Sequence, residues 1–160
     1  MDEIVVRSMA KWPDVPDVYG WLSLDRRGNW LLRSTGATSS IERIGNQALK
    51  DFISRNYTSD SQGRWYFQNG PQRVFVKLAY MPLIVRLENG ALVDHCRRPY
   101  GEPREIWLDD EGSILFSGAT GPALLDDRDL AGFVEGLGRP PEQLPRILRT
   151  EAAQKFGFLP

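Results

Sequence analysis

The amino-acid sequence predicts an α+β fold: antiparallel β-hairpins and a meander, two equivalent helices from an internal duplication, and a C-terminal helix. Apolar segments flank an Asp-Arg-Arg-Gly turn at 25–28 and an Asp-Asp-Glu-Gly turn at 109–112. A related Asp-Ser-Gln-Gly stretch lies at 60–63, with no helix after it, and we interpret it as an independent use of the same turn. Asp favours the first position of a type I turn, and Gly supplies the positive φ that closes a hairpin with a bulge. Each stretch is therefore expected to join two antiparallel strands.

An internal duplication is indicated by the order in which these signals recur. Three pairs of segments correspond: 24–32 with 108–116, 36–38 (Gly-Ala-Thr) with 118–120, and 44–53 with 125–134. The offset falls from 84 to 81 residues along this series, and the change lies in a loop, where insertions are tolerated. We therefore predict that one hairpin-and-helix unit is used twice.

Apolar residues at helical spacing follow a capping residue in both copies. Asn46 is the predicted N-cap of the first helix and Asp127 that of the second. The apolar positions are Ala48, Leu49, Phe52, Ile53 and Tyr57 in the first helix, and Leu130, Phe133, Val134 and Leu137 in the second. A last helix is predicted from Pro145 to the residue before Gly157, because Pro suits the first helical position and Gly the position past the end.

Proline and glycine suggest three regions. Pro13 and Pro16 predict an extended N-terminal segment at 1–16. Met9 offers a second start, so residues 1–8 are expected to be a loosely ordered or spurious extension. The region 17–98 is the first repeat with a central antiparallel meander, in which Val74, Val76, Leu78 and Tyr80 alternate with other residues as in a half-buried strand. A polar stretch with Pro99, Gly101 and Pro103 begins the second repeat and C-terminal helix, 99–160.

Composition restricts the classes of function. The chain has 160 residues, 41% of them hydrophobic and 26% charged, with a net charge of −1. Neutralisation of phosphates by basic side chains supplies most of the non-specific affinity of a protein for nucleic acid, and this chain has no surplus of basic residues, so we predict no nucleic-acid partner. A nucleic-acid-binding module stays a third option, and it would require one continuous basic face. The single cysteine, Cys96, excludes an internal disulfide and a cysteine-based zinc site. No stretch resembles a signal peptide or a membrane span, so we expect a cytoplasmic protein with no membrane partner.

The first half resembles a bacterial family of uncharacterised proteins, known only as a domain of unknown function and built from repeated α/β halves. That family shows a Gly-x-Trp hairpin, a helix and a strand-rich stretch. Here Gly28-Asn29-Trp30 and the helix at 46–56 match its start, and the later stretch is matched by Pro71, Val76, Leu78, Pro82 and Leu83. The resemblance covers about residues 18–90. It implies the repeated fold and a suggested role in signal transduction, but no reaction, cofactor or catalytic residue; the family's acidic positions fall on Arg73 and Tyr80.

No catalytic, metal or cofactor site is predicted. His95 and Cys96 are adjacent on an extended segment, so their side chains point to opposite faces and do not pair readily. One His excludes a multi-histidine metal site. The acidic runs at 109–111 and 126–129 fit a turn and a helix N-terminus, and the Gly-Ala-Thr loops have no phosphate-loop pattern beside them.

Five tryptophans are many for this length, and core packing explains most of them. The alternative hypothesis is a groove for an anionic ligand or a peptide, in which one exposed Trp joins a cluster of predicted ligand-binding residues: Arg73, His95, Arg97, Arg98 and Tyr100. The sequence thus predicts a non-enzymatic regulatory module that binds a small anionic molecule or a protein partner. The alternative is a small hydrolase- or transferase-like enzyme with an Asp/Arg-based site.

Overall fold

The computed structural model of the chain describes residues 1–34, 36 and 38–160. They form two units: residues 1–25, 29–79 and 158–160 make the first, and residues 26–28 and 80–157 make the second. Within the described residues, no helix combines the length and the apolar character that crossing a bilayer requires.

The first unit is a sheet with a helix on one face. Its elements are α1 (Glu3–Lys11), β1 (Val18–Leu24), β2 (Trp30–Arg33), β3 (Ile41–Arg43), α2 (Gln47–Arg55), β4 (Tyr57–Ser59), β5 (Trp65–Asn69) and β6 (Gln72–Leu78). The strands lie in the order β3-β2-β1-β6-β5-β4. All neighbours are antiparallel except β1 and β6, which are parallel, with Leu22 opposite Val76. Helix α2 packs on the sheet through Phe52 and Phe67, whose ring centroids lie 5.4 Å apart.

The second unit is also built on a sheet. Its elements are β7 (Leu83–Glu88), β8 (Ala91–Asp94), β9 (Glu105–Asp109), β10 (Ile114–Ser117), β11 (Ala123–Leu125), α3 (Leu130–Gly136), β12 (Arg146–Ile147) and α4 (Ala152–Phe156). The strand order is β12-β9-β10-β11-β7-β8, with parallel pairs β11–β7 and β12–β9. Consecutive residues of β10 are fully buried, so both faces of this sheet are covered there.

The two-half α+β fold predicted from the sequence is confirmed. The hairpin β1–β2 is followed by β3 and α2, and the hairpin β9–β10 is followed by β11 and a helical segment at 127–136. Parallel pairing, which the sequence did not predict, differs between the halves. In the first half only the first strand of the series, β1, has a parallel partner, β6, whereas in the second half the first strand, β9, pairs with β12 and the third, β11, pairs with β7. The predicted Gly-Ala-Thr match at 36–38 includes Ala37, which lies outside the described residues.

One turn arrangement recurs four times in the part of the chain that the structure describes. In each turn the backbone N–H of an Asp donates to the carbonyl of the residue four positions later, and the Asp carboxylate accepts the N–H of that same residue. The distance from the carboxylate to this N–H nitrogen is 2.8 Å for Asn29, 3.0 Å for Arg64 and Arg98, and 2.7 Å for Ser113. The residue before each of these has positive φ: Gly28, Gly63, Arg97 and Gly112. The sequence showed only three of the turns, because Arg97 occupies the fourth position usually held by Gly.

Three predicted elements are corrected. Residues 3–11 of the predicted extended segment 1–16 form α1, which tertiary contacts hold: the Asp2 N–H donates to the Asn56 side chain at 2.8 Å, and Val5 is buried. The cap of the second helical segment is Asp126, which accepts the Arg128 N–H, rather than Asp127. The C-terminal helix begins at Ala152, not at Pro145, because β12 and a 3₁₀ turn come first; Gly157 ends it with positive φ as predicted.

The units divide between residues 79 and 80, whereas the sequence predicted a division between 98 and 99. The polar stretch after Arg98 is a connection within the second unit. The reason is that β7 and β8, which precede it in the chain, belong to the second unit's sheet through the parallel pairing of β7 with β11.

Candidate functional site

The face of the first sheet opposite α2, here called the open face, can be assigned from strand register. Directly opposite residues share a face, and side chains alternate along each strand. Ser23 pairs with Lys77, Leu31 with Arg43, and Arg33 with Ile41. The open face is therefore formed by Trp21, Ser23, Leu31, Arg33, Ile41, Arg43, Arg73, Phe75 and Lys77, with Tyr19 stacked on Phe75 at 4.8 Å between ring centroids. Leu22, Leu24 and Trp30 point the other way, into the core.

Exposed apolar side chains distinguish the open face. Tyr19 is 62%, Trp21 52% and Ile41 58% exposed. The exposure of Tyr19 and Trp21 coincides with a bulge in β1, where the register with β6 shifts between Val18 and Leu22 and Gly20 has positive φ, whereas Ile41 is on the edge strand β3. A bulge changes the direction in which side chains leave a strand, and here the rings of Tyr19 and Trp21 are exposed beside a groove.

The groove on the open face has a volume of about 560 Å³. Its lining combines rings, aliphatic groups and cations: Tyr19, Gly20, Trp21, Leu22, Ser23, Leu24, Asp25, Leu31, Arg33, Ile41, Lys77, Leu78 and Ala79. The Asp25 carboxylate is turned into its own hairpin, where it accepts the Asn29 N–H and side-chain amide, each at 2.8 Å. The charged groups left to face the groove are Arg33 and Lys77.

Basic side chains on the open face lack carboxylate partners. Among the residues that the structure describes, ion pairs involve other arginines, and none involves Arg33, Arg43, Arg73 or Lys77. Arg73 instead lies over the Tyr66 ring, 4.4 Å from its centroid. Arg64 lies over Phe75 but its guanidinium also pairs with Asp60 at 2.7 Å. The face thus combines aromatic rings with unneutralised positive charge.

The predicted ligand-binding residues are divided between the two units. Arg73 is on β6 of the first unit, beside a smaller hollow of about 350 Å³ that Trp12 and Asp17 also line. His95, Arg97, Arg98 and Tyr100 follow β8 in the second unit. The proposed joint groove of Arg73 with those four residues stays a prediction.

Around β8 the predicted residues have structural contacts. Arg97 is exposed, whereas Arg98 pairs with buried Asp94 at 3.1 Å. His95 Nδ1 accepts the Ile84 N–H at 3.2 Å. Tyr100 is buried and its hydroxyl donates to the Gly121 carbonyl at 2.7 Å, and burial raises the pKa of this phenol above its ordinary value. With 3% of its surface exposed, Tyr100 offers a ligand almost no ring area on which to stack.

Asp–Arg pairs of the second unit organise its own packing. The Asp129 carboxylate accepts hydrogen bonds from Arg86 and from the Leu87 N–H, and the Arg86 guanidinium lowers the pKa of Asp129. Asp126 is fully buried against Arg128. Within the described residues no three His, Cys, Asp or Glu side chains group as a metal site would need.

The exposed aromatic rings of the open face were missed as a site by sequence reasoning. The one signal was the number of tryptophans, which did not distinguish buried from exposed ones. Trp30 and Trp65 are buried, whereas Trp21 is exposed because of the bulge at Gly20. A Gly between Tyr19 and Trp21 within an otherwise strand-like segment is a sequence pattern typical of such bulges.

Comparison with known proteins identifies the family of the chain. The DUF2944 family model, described as a protein of unknown function (DUF2946), matches residues 1–156. The chain belongs to this family. No curated protein matches.

Two solved structures share the fold. One is a DUF1285 family protein from Silicibacter pomeroyi DSS-3, with a TM-score of 0.52, 14% identity and 84% of each chain covered. The other is a DUF1285 family protein from Shewanella baltica OS155, with a TM-score of 0.51 and 12% identity, covering 73% of this chain and 92% of that one. At these identities the similarity establishes the fold and leaves the function to be inferred from the site.

Proposed function

We propose that this protein is a non-enzymatic binding module whose open face holds a planar, anionic small molecule. One observation supports this above all: Trp21 and Tyr19 are more than half exposed beside Lys77 in a groove of about 560 Å³. Grooves of 300–1,000 Å³ lined by apolar groups with a few polar ones are typical of small-molecule sites.

The two rings suit a flat ligand. Tyr19 already stacks on Phe75 with an interplanar angle of 9°, so its orientation is fixed before a ligand arrives. A side chain held in its bound orientation loses little conformational entropy on binding. Trp21 offers the larger aromatic surface, and stacked aromatic pairs contribute about 0.5–1.5 kcal/mol beyond the area they bury.

Lys77 and Ser23 suit the anionic part of the ligand. They are directly opposite on β6 and β1, so the ammonium group and the hydroxyl project from neighbouring positions on the open face. An ammonium is a compact charge with rotatable donors, and it recognises phosphate or carboxylate without demanding one geometry. Arg33 adds a fork of donors at the far side of the same groove.

A regulatory role in signal transduction and a cytoplasmic location are part of this proposal. They rest on the family resemblance and on the sequence, respectively. The alternative of a small enzyme with an Asp/Arg site has less support. The Asp129 carboxylate, paired with Arg86, also accepts a backbone N–H, and so does the Asp126 carboxylate, paired with Arg128, so both pairs serve to hold the backbone of the second unit. A general acid needs a raised carboxyl pKa, and the pKa values of Asp126 and Asp129 are lowered.

The test is a thermal-shift and tryptophan-fluorescence titration with adenosine 5′-monophosphate (AMP) as the first probe and aromatic carboxylates as further probes. A ligand of the native state raises the melting temperature by mass action. We expect stabilisation with a change in fluorescence, and loss of both in Trp21→Ala and Lys77→Ala. Arg139→Ala, which removes an exposed arginine of the second unit, is the matched control and should bind normally. Binding that survives both groove substitutions, or no response to any probe, would contradict the proposal.

A further inference from the structure

We infer that the open face binds its planar, anionic ligand as the repeating unit of a single-stranded nucleic acid, an inference that rests on the proposed function. The net charge of −1 describes the whole chain and does not describe the charge of one face. Four basic residues of the open face have no carboxylate within ion-pair distance among the described residues: Arg33, Arg43, Arg73 and Lys77.

These four residues mark a path longer than one nucleotide. Arg43 is on β3, Arg33 on β2 and Lys77 on β6, so three strand spacings separate the first from the last. At ~4.8 Å between strands this is about 14 Å. Arg73 lies four residues from Lys77 on the same strand, which adds about 13 Å at ~3.3 Å per residue. A mononucleotide can reach only part of this path, whereas a polymer with regularly spaced phosphates can follow it.

Aromatic rings lie along the same path. Tyr19 and Trp21 stand between the cations of β2 and those of β6, since β1 lies between these strands in the sheet. Cations that track a phosphate backbone, combined with rings on which bases stack, are the arrangement by which single strands are bound without sequence preference. Unstacked bases are needed for this, so a double helix does not fit the face equally well.

Charge complementarity and ring exposure together favour this occupant over an acidic peptide. An acidic peptide would satisfy Arg33 and Lys77 but would offer no flat ring for Trp21, which is 52% exposed. A single strand satisfies both features with one repeating unit. The side chain of Ile41, also exposed at this face, widens the apolar platform on which a base or sugar can rest.

The test measures binding of a fluorescein-labelled oligothymidylate of about ten nucleotides by fluorescence anisotropy over a salt series. We expect binding at least tenfold tighter than that of AMP. The slope of log K against log salt should be about −3, because single strands contribute about −0.7 for each of four neutralised phosphates. Trp21→Ala should weaken binding by about 5- to 150-fold, since one stacked base is lost.

Variants outside the groove centre separate this inference from the proposed function. Arg43→Ala and Arg73→Ala should each reduce the salt slope by about 0.7 and weaken oligothymidylate, while AMP affinity stays unchanged. Arg139→Ala is again the control and should leave both ligands unaffected.

Other results of the AMP and oligothymidylate titrations would overturn the single-strand inference, the proposed function or both. If AMP binds at Trp21 but oligothymidylate binds no tighter, the inference is overturned and the proposed function stands. If neither ligand binds, both are overturned. Equal affinity for duplex DNA, or displacement of the oligonucleotide by polyglutamate at equal charge concentration, would also overturn the single-strand inference.

Discussion

The sheets of the two units are used differently. In the first, Tyr19, Trp21 and Ile41 are exposed beside unpaired cations, whereas in the second Leu148 is the one large apolar side chain exposed among the described residues. Strand β10 has three consecutive fully buried residues, Ile114–Phe116, whereas β1 has three consecutive exposed residues, Tyr19, Gly20 and Trp21, before buried Leu22 and Leu24. The comparison indicates that the second sheet is packed on both faces at β10, whereas the first sheet is packed on both faces at β5 and β6 and has one face exposed along β1, β2 and β3.

Substitution of one aromatic residue in each sheet tests this difference with the largest expected effect. Phe116 is fully buried against Phe133 and Tyr100, and Phe116→Ala should lower the free energy of unfolding by about 3–5 kcal/mol. Trp21→Ala should change it by no more than about 0.5 kcal/mol, as is usual at exposed sites. Urea denaturation measures both. A large loss on Trp21→Ala would mean that the open face is part of the packed core.

The equivalent turn glycines provide a second contrast. Gly28 and Gly112 have nearly equal φ, +78° and +83°. A Cβ at Gly112 meets nothing within 4 Å, whereas a Cβ at Gly28 would lie 2.6 Å from the His95 Cβ. Gly112→Ala should therefore cost about 1–2 kcal/mol for the backbone alone. Gly28→Ala should cost at least about 1 kcal/mol more, because a Cβ–Cβ clash moves the backbone. Equal losses in denaturation would contradict the described contact between residues 28 and 95.

The pH dependence of stability tests how the second unit is fastened. Because Arg86 lowers the pKa of folded Asp129, this carboxylate stabilises the fold above its unfolded pKa of about 3.9, and the stabilisation disappears as the pH falls through the folded pKa. Asp129→Asn should be less stable than the wild type at pH 7 and should lose less stability between pH 5 and pH 2. Parallel stability profiles for the two proteins would show that the Arg86 pair contributes nothing to the pH dependence.

The smallest expected effect concerns the fourth hairpin turn. Arg97 has a φ of +67°, at the position that Gly occupies in the other three turns of this type in the described chain. Arg97→Gly should stabilise the protein by about 0.5 kcal/mol, since the left-handed penalty of about 1–2 kcal/mol outweighs the extra freedom of Gly in the unfolded chain. Arg104→Gly, at an exposed position with no positive φ, should not stabilise. Destabilisation by Arg97→Gly, seen in the denaturation midpoint, would contradict this account of the turn.

Local chemistry made part of the fold predictable. The hairpins at 25–28, 60–63 and 109–112 follow from Asp and Gly positions, and the Asn46 cap was predicted and accepts the Leu49 N–H at 3.0 Å. Helix α1 was missed because it depends on contacts distant in the chain, such as Asp2 with Arg55. The fourth turn was missed because an Arg takes the left-handed position, which sequence patterns assign to Gly.

The site was predictable in composition but not in place. The sequence indicated an exposed Trp with basic residues, and both occur on the open face. The predicted cluster of Arg73, His95, Arg97, Arg98 and Tyr100 stays a prediction. It did not include Tyr19, because the spacing of apolar residues alone does not show the bulge at Gly20 beside which Tyr19 and Trp21 are exposed. The parallel pairing of β1 with β6, which brings Lys77 beside Ser23, likewise joins residues more than fifty positions apart.

The most direct test of the central claim is a map of backbone amide and tryptophan indole N–H chemical shifts in the full chain during titration with AMP. Proposed binding at the open face predicts perturbations confined to β1, β2, β3 and β6, with the Trp21 indole among the largest, and their loss in Lys77→Ala. Perturbations centred on residues 94–100 of the second unit, or none at saturating AMP, would contradict the claim that the uncovered face of the first sheet is where this protein binds its ligand.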